Sequence, residues 1–195
     1  MSDELHETVR RAVRRTTWIT VLGAVVGVGV GLWLSAGEDP LERALVVVGG
    51  LMAIGGFAGT ATALIAKRRM SSVTSAPTTG LDAAGKRAVQ KAVFAGVPVE
   101  PRDPLLALRA ADLAEVLSLT LPLATAQFVL LYGGIIGSQV IGLVSSNGWG
   151  ATFRIILVVV MVIAGVVVIV LMRRSALQVD RYRRALNTDG PAHAA

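Results

Sequence analysis

The sequence predicts an all-α fold: a polytopic transmembrane four-helix bundle with a short helical cytoplasmic insertion between spans two and three. Three observations predict it. Charged residues make up only 16% of the 195 residues, whereas about 25% is usual in a soluble domain. Long runs carry no charge at all, and basic residues are gathered in blocks that flank these runs. Such runs leave no polar face for water, so their surfaces must meet lipid or other helices.

Four stretches have the length of a membrane span, which needs about 20 apolar residues. They are residues 18–34, 44–66, 117–143 and 155–172. The third is long and contains several polar side chains, and Pro122 indicates an interfacial turn or a kink near its start. The fourth is mostly Val, Ile and Leu, which remain helical in lipid because the backbone there must bond to itself.

Two alternative structures fit the sequence less well. A transmembrane barrel would need alternating segments of about 10 residues, and the apolar runs here are continuous. The basic segment before the first span also resembles the start of a secretory signal. However, no small-x-small cleavage site follows the apolar run, since Leu34 stands two residues before Ala36.

The distribution of Lys and Arg predicts the orientation of the spans. The segment before span one, the link between spans two and three, and the tail together hold 17 of the 19 basic residues. The two other links hold only Arg43 and Arg154. We therefore expect a multi-pass protein of the cell membrane with its N and C termini in the cytoplasm.

This orientation gives the chain four parts. Residues 1–66 form an N-terminal cytoplasmic segment and a first transmembrane hairpin, and residues 67–116 a cytoplasmic linker with short helices. Residues 117–172 form a second hairpin, and residues 173–195 a basic cytoplasmic tail. In the tail we expect a helix to about Leu186 and a frayed end from Asn187 onward.

The cytoplasmic link contains signals for two helices. The first is expected at residues 81–95, with Thr79 as its N-cap and Gly96 at its end. Its basic side carries Lys86, Arg87 and Lys91, and its apolar side suits either the lipid headgroup layer or packing on neighbouring helices.

The second helix is expected to lead into span three. Pro98 and Pro101 predict an extended stretch before it. Asp103 can cap this helix, with Pro104 at its first position.

Small residues four positions apart form stripes within three of the spans. Such a stripe lies along one side of a helix and lets two backbones approach closely, which favours association in lipid. We expect these residues to make helix-packing contacts, within the chain or with another copy. They are Gly23, Gly27 and Gly31 in span one, Gly55 and Gly59 in span two, and Gly133 and Gly137 in span three.

Groups that carry catalysis or transport are scarce in the spans. No Asp, Glu, Lys, Arg or His lies inside them, so proton-coupled transport and intramembrane proteolysis are not favoured. The chain has no Cys, and the sequence offers no metal or cofactor ligand set. Gln127, Tyr132 and Gln139 are the candidates for a polar path, against the alternative that they hydrogen-bond between helices.

The partners that the sequence predicts follow from its net charge of +6. Because the basic residues flank apolar runs, anionic lipid headgroups explain them better than nucleic acid does. The lipid bilayer itself, a second copy of the chain or another membrane protein would cover the apolar surfaces.

One cytoplasmic stretch carries a resemblance. The segment at residues 83–93, followed by Gly96, Pro98 and Pro101, together with four spans and a bias towards Ala, Val, Gly and Arg, resembles uncharacterised small four-span membrane proteins of actinobacteria. The resemblance covers the general layout and this one stretch, and it implies no activity and no functional residues.

The leading hypothesis is therefore a non-enzymatic membrane protein that acts as a scaffold, accessory or regulatory subunit of a membrane complex. The main alternative is a small channel or transporter with the third span lining the path. A membrane enzyme acting on lipid is a third possibility with no residue pattern to favour it.

Overall fold

The computed structural model describes residues 2–97 and 103–189, and within these ranges the regular secondary structure is helical throughout. Four helices, α1, α2, α5 and α6, are long and apolar enough to cross a membrane, which confirms the predicted all-α fold with four potential spans. The elements in order are α1 (Ser2–Leu34), α2 (Pro40–Arg69), α3 (Ser71–Ser75), a 3-10 turn (Ala76–Thr78), α4 (Ala83–Ala95), α5 (Pro104–Val144) and α6 (Trp149–Asp189).

Each predicted span lies within one helix, but the helices continue beyond the apolar runs. Helices α5 and α6 have 41 residues each, which corresponds to about 60 Å at 1.5 Å per residue. A hydrocarbon core is only about 30 Å thick, so neither helix fits inside it along its whole length. Pro122 lies inside α5, which does not end there.

The chain divides into two compact units. The first, here called the span unit, contains α1, most of α2, and residues 123–169 of α5 and α6. The second, here called the α4 unit, contains residues from 67 to 122 together with the part of α6 from Val170 onward. Helices α5 and α6 therefore contribute residues to both units.

The α4 unit has a hydrophobic core built from three helices. It comprises two side chains of α4 that are fully buried, Val89 and Val93, and two of α6 that are 1% exposed, Val179 and Tyr182. Ala92 of α4 and Ala110, Leu113 and Ala114 of α5 complete it. The apolar side of α4 is thus covered by α5 and α6, as one of the two expected arrangements requires, and Lys86, Arg87 and Lys91 are exposed.

The ends of α4 are fixed by two local contacts. The backbone N–H of Gly85 donates to the Asp82 carboxylate at 2.7 Å, so Asp82 is the N-cap. The prediction of Thr79 as the N-cap was wrong. Its backbone is extended and its hydroxyl donates to the Ser75 carbonyl, so Thr79 caps the end of the preceding 3-10 turn. Gly96 ends α4 as predicted, in the left-handed region at φ +71°, where a side chain would be strained.

Helix α5 begins as the sequence predicts. Pro104 is its first residue, and the Asp103 carboxylate accepts a hydrogen bond from the backbone N–H of Leu105 at 2.9 Å. The predicted extended stretch with Pro98 and Pro101 lies outside the described residues. Helix α6 continues to Asp189, three residues past the expected end, and the remainder of the tail is outside the described part of the chain.

Candidate functional site

Glycines of α1 and α2 bring the backbones of these two helices of the span unit close together. A Cβ atom at Gly50 would lie 2.5 Å from the carbonyl oxygen of Gly27, and one at Gly27 would overlap the Gly50 backbone. A Cβ at Gly31 would lie 2.7 Å from the Cα of Val47, and one at Gly23 would lie 3.1 Å from the Ile54 carbonyl oxygen. All three stripe glycines of α1 therefore lie against the α2 backbone.

Helix α2 uses a second set of glycines against α5. A Cβ at Gly56 would lie 2.5 Å from the Leu130 carbonyl oxygen and 2.8 Å from the Cα of Gly134. Gly137 is equally close, since its Cβ would lie 2.6 Å from the backbone nitrogen of Ala53 and from the carbonyl oxygen of Gly49. Helix α2 is therefore packed by its backbone on two sides.

The remaining predicted glycines differ in their surroundings. Gly55 faces Ala24 of α1, with contacts of 3.2 Å, and Gly59 lies against the Thr20 hydroxyl and the Leu130 side chain. Gly133 has no atom within 4 Å of the position that a Cβ would take, whereas its neighbour Gly134 faces Phe57. The contact on α5 is thus made by the adjacent glycine.

Three glycines of these contacts were not singled out from the sequence: Gly49, Gly50 and Gly56. A signal for them exists in α2, where two adjacent glycine pairs stand six residues apart. Neighbouring residues on a helix are rotated by about 100°, so the two members of a pair point towards different sides. In α2 the second pair is divided in this way, with Gly55 facing α1 and Gly56 facing α5.

The α5–α6 contact is looser. A Cβ at Gly165 of α6 would be 3.7 Å from the Tyr132 ring, an ordinary van der Waals distance. Beside this contact lies an apolar cavity of about 210 Å³, and Gly133 opens onto it. Its lining includes Phe128, Val129, Tyr132, Met161, Gly165 and Ile169. At the end of the hairpin the guanidinium of Arg154 covers the Cα of Gly142.

The three candidate polar residues do not share one side of α5. Tyr132 faces α6 at Gly165, and Gln139 lies seven residues further on, close to the same side. Gln127 is three residues before Leu130, which contacts α2 at Gly56 and Gly59. All three side chains are half-buried. The structure therefore separates Gln127 from the other two.

Charged groups lie mostly at exposed positions. The Arg11–Glu7 ion pair of α1 has both side chains more than 60% exposed, so it adds little to stability. In the α4 unit Arg183 donates to the Ser118 hydroxyl at 3.1 Å. Tyr182 lies ten residues past the apolar run. Burial raises the pKa of its hydroxyl, which keeps the group neutral at physiological pH.

Comparison of the chain with protein-family models, with curated proteins and with solved structures found no match. Among the described residues no group of three or more His, Asp or Glu side chains is arranged to hold a metal ion. The most specific arrangement in the described structure is the backbone-to-backbone packing of α1 on α2 and of α2 on α5.

Proposed function

We propose that this chain is a non-enzymatic scaffold, accessory or regulatory subunit of a membrane complex. The proposal rests on one combination of features. The helices of the span unit pack tightly through glycines, and the α4 unit bears exposed basic side chains. A polytopic protein with these features can anchor a partner in the bilayer and engage a second one outside it. The glycine contacts supply a fixed frame rather than a reaction site.

The proposed orientation places the N and C termini and the α4 unit in the cytoplasm. It is supported by the basic residues, of which 13 lie in residues 67–116 and 173–195. Fusing a reporter after Ala36, Ser75, Asn147 or Ala195 tests it. We expect cytoplasmic signals at Ser75 and Ala195, and an extracytoplasmic signal at Ser75 would overturn the orientation.

Anionic lipid headgroups are the proposed partner of the basic cytoplasmic surface. The exposed side chains of Lys86, Arg87 and Lys91 lie on the side of α4 that is turned away from the core of its unit. The full chain in nanodiscs with and without anionic lipid provides the test. Acylation of Lys86 and Lys91 should be slower with anionic lipid at low salt, and equal rates in both lipids would contradict the proposal.

The apolar surface that a second copy or a partner span would cover is most extensive on α6. Within residues 155–172 of α6 Gly165 alone is buried, and Val159, Ile163 and Val166 are all more than half exposed. Such a surface meets lipid or another helix. Crosslinking through single cysteines at these positions, in native membranes, would distinguish a second copy from a different protein and from lipid alone.

Purification of the tagged full chain in a mild detergent tests the scaffold proposal directly. We expect a defined protein complex of constant stoichiometry that is retained after size-exclusion chromatography. The charge variant Lys86→Gln/Arg87→Gln/Lys91→Gln should release a cytoplasmic partner without unfolding the chain, because all three side chains are exposed. A chain that purifies alone in every detergent tried would contradict the proposal.

The alternative function, a small channel or transporter lined by α5, is supported by the polar side chains on the α6-facing side of that helix. Tyr132 contacts α6 beside the apolar cavity, and Gln139 lies close to the same side. Solute flux through reconstituted vesicles that is lost on Gln139→Leu would favour this function over the scaffold.

A further inference from the structure

Helix α4 carries an exposed aromatic side chain among its basic residues. Arg87, Lys91 and Phe94 have the spacing that places residues along one side of a helix, and all three are exposed. Val89 and Val93, which lie on the other side of α4, are buried in the core of the α4 unit. Phe94 is 40% exposed and does not belong to that core, so the ring must be covered by something outside it.

The end of α4 that carries Phe94 is the end nearer to the apolar runs of α5 and α6. At the start of α4, a Cβ on Gly85 would lie 3.5 Å from the side chain of Leu106, which precedes the predicted third span by 11 residues. At the end of α4, a Cβ on Gly96 would lie 3.3 Å from the Gln178 carbonyl oxygen, only six residues past the fourth span. Along α4 the chain therefore advances from the level of Leu106 to the level of Gln178.

A hydrogen bond between α5 and α6 relates these two levels. Arg183 of α6 donates to the hydroxyl of Ser118 at 3.1 Å, and Ser118 is the second residue of the predicted third span. Gln178 is five residues before Arg183 and thus nearer to the fourth span, which ends at residue 172. Gly96, which contacts Gln178, therefore lies close to where α5 enters its apolar run. Leu106 precedes Ser118 by 12 residues, which is about 18 Å of helix.

We infer that the C-terminal end of α4 is immersed in the lipid interface, with Phe94 and Val97 at the boundary between headgroups and acyl chains. Val97 is 53% exposed and follows directly after the residue that ends the helix. Lys91 and Arg181 supply exposed basic side chains near this end, since a Cβ on Gly96 would lie 3.5 Å from the Cβ of Arg181. The inference rests on the proposed membrane topology and specifies which end of α4 meets the lipid.

A lipid interface fits this end better than the surface of an acidic protein does. Aromatic and aliphatic side chains enter the boundary of headgroups and acyl chains, while Lys and Arg remain at the level of anionic headgroups. Lysine, by contrast, is depleted at protein–protein interfaces. Because Gly96 lies close to where α5 enters its apolar run, a bilayer that holds this run is next to Phe94 without any other partner.

Site-directed spin labelling of the full chain in nanodiscs measures this depth directly, because the chain has no Cys of its own. Labels introduced by Phe94→Cys or Val97→Cys should be more accessible to oxygen than to a water-soluble nickel chelate. Leu105→Cys is the matched control, since Leu105 is apolar and 72% exposed but lies beside Leu106, and its label should show the reverse preference. Equal access of the chelate to the labels at Phe94 and Leu105 would overturn the inference. The label at Val97 keeps the measurement intact if the Phe94 variant does not fold.

Acylation of the unmodified chain provides a second measurement that needs no substitution. Lys86 and Lys91 are both exposed and stand five residues apart, about 7.5 Å along α4. Replacing neutral by anionic lipid at low salt should slow the acylation of Lys91 by about fivefold and that of Lys86 by less. Equal slowing of both lysines would place the whole basic side of α4 against the headgroups and overturn the inference.

These depths do not depend on which side of the membrane the α4 unit occupies. An extracytoplasmic reporter signal at Ser75 would contradict the proposed orientation, and a label at Phe94 that is still shielded from the chelate would support the inference all the same. A label at Phe94 in water, together with a cytoplasmic signal at Ser75, would overturn the inference and leave the proposed orientation in place.

Discussion

Gly27 of α1 and Gly50 of α2 face each other so closely that neither position has room for a side chain. A Cβ on Gly50 would lie 2.5 Å from the Gly27 carbonyl oxygen, and a Cβ on Gly27 would overlap the Gly50 carbonyl. Because both obstacles are backbone atoms, a side chain can be accommodated only if one helix moves as a whole. This pair therefore sets the distance between α1 and α2.

The substitution Gly27→Ala should consequently destabilise the span unit. The added methyl group must push α2 away, and overpacking of this kind costs roughly 1–3 kcal/mol. Gly29→Ala is the matched control, since Gly29 lies in the same helix with no atom within 4 Å of the new Cβ, and it should be neutral or stabilising. Thermal unfolding in detergent measures both, and equal effects would show that the contact does not limit stability.

The contact between α2 and α5 provides an independent comparison. Gly137→Ala should destabilise the chain, because the new Cβ would lie 2.6 Å from the Ala53 nitrogen and the Gly49 carbonyl oxygen. Gly133→Ala, four residues earlier in the same helix, meets nothing within 4 Å and should leave Tm unchanged or higher. A larger loss of stability from the Gly133 variant would contradict the packing described here.

These glycines show how far sequence reasoning extends. A four-residue spacing of small residues predicts a stripe along one side of a helix, and Gly23, Gly27 and Gly31 do lie along one contact with α2. Spacing alone does not define the angle at which the stripe faces its neighbour. In α5 the three-residue step from Gly134 to Gly137 also follows one side of a helix, and these two face α2 while Gly133 does not.

The helix boundaries illustrate the same limit. An apolar run predicts which residues prefer lipid, and all four runs lie within long helices. It does not predict where a helix ends, because the backbone hydrogen bonds continue beyond the apolar run when one side of the helix is packed. Leu113 and Val179 lie outside the predicted spans and are buried in the core of the α4 unit, and this packing was not visible from hydropathy.

The left-handed residue at the end of α4 gives a third prediction. Gly96→Ala should destabilise the α4 unit by about 1 kcal/mol, because a residue with a Cβ is disfavoured at φ +71°. Gly96→Asn should cost less, since asparagine tolerates this conformation better. Chemical denaturation followed by circular dichroism provides the measurement. Equal losses from Ala and Asn would point to crowding by the nearby Gln178 carbonyl, 3.3 Å from the Cβ position, instead of backbone strain.

The core of the α4 unit gives the last prediction, through two leucines of α5. Leu113 is 7% exposed and belongs to the core with Val93 and Tyr182, whereas Leu108 is 61% exposed. Leu113→Ala should cost about 2–5 kcal/mol through lost burial and the cavity it leaves, and Leu108→Ala should cost far less. Limited proteolysis of the full chain would report the difference as faster cleavage between α2 and α5 in the Leu113 variant. Equal protection in both variants would mean that α4, α5 and α6 do not depend on their shared core.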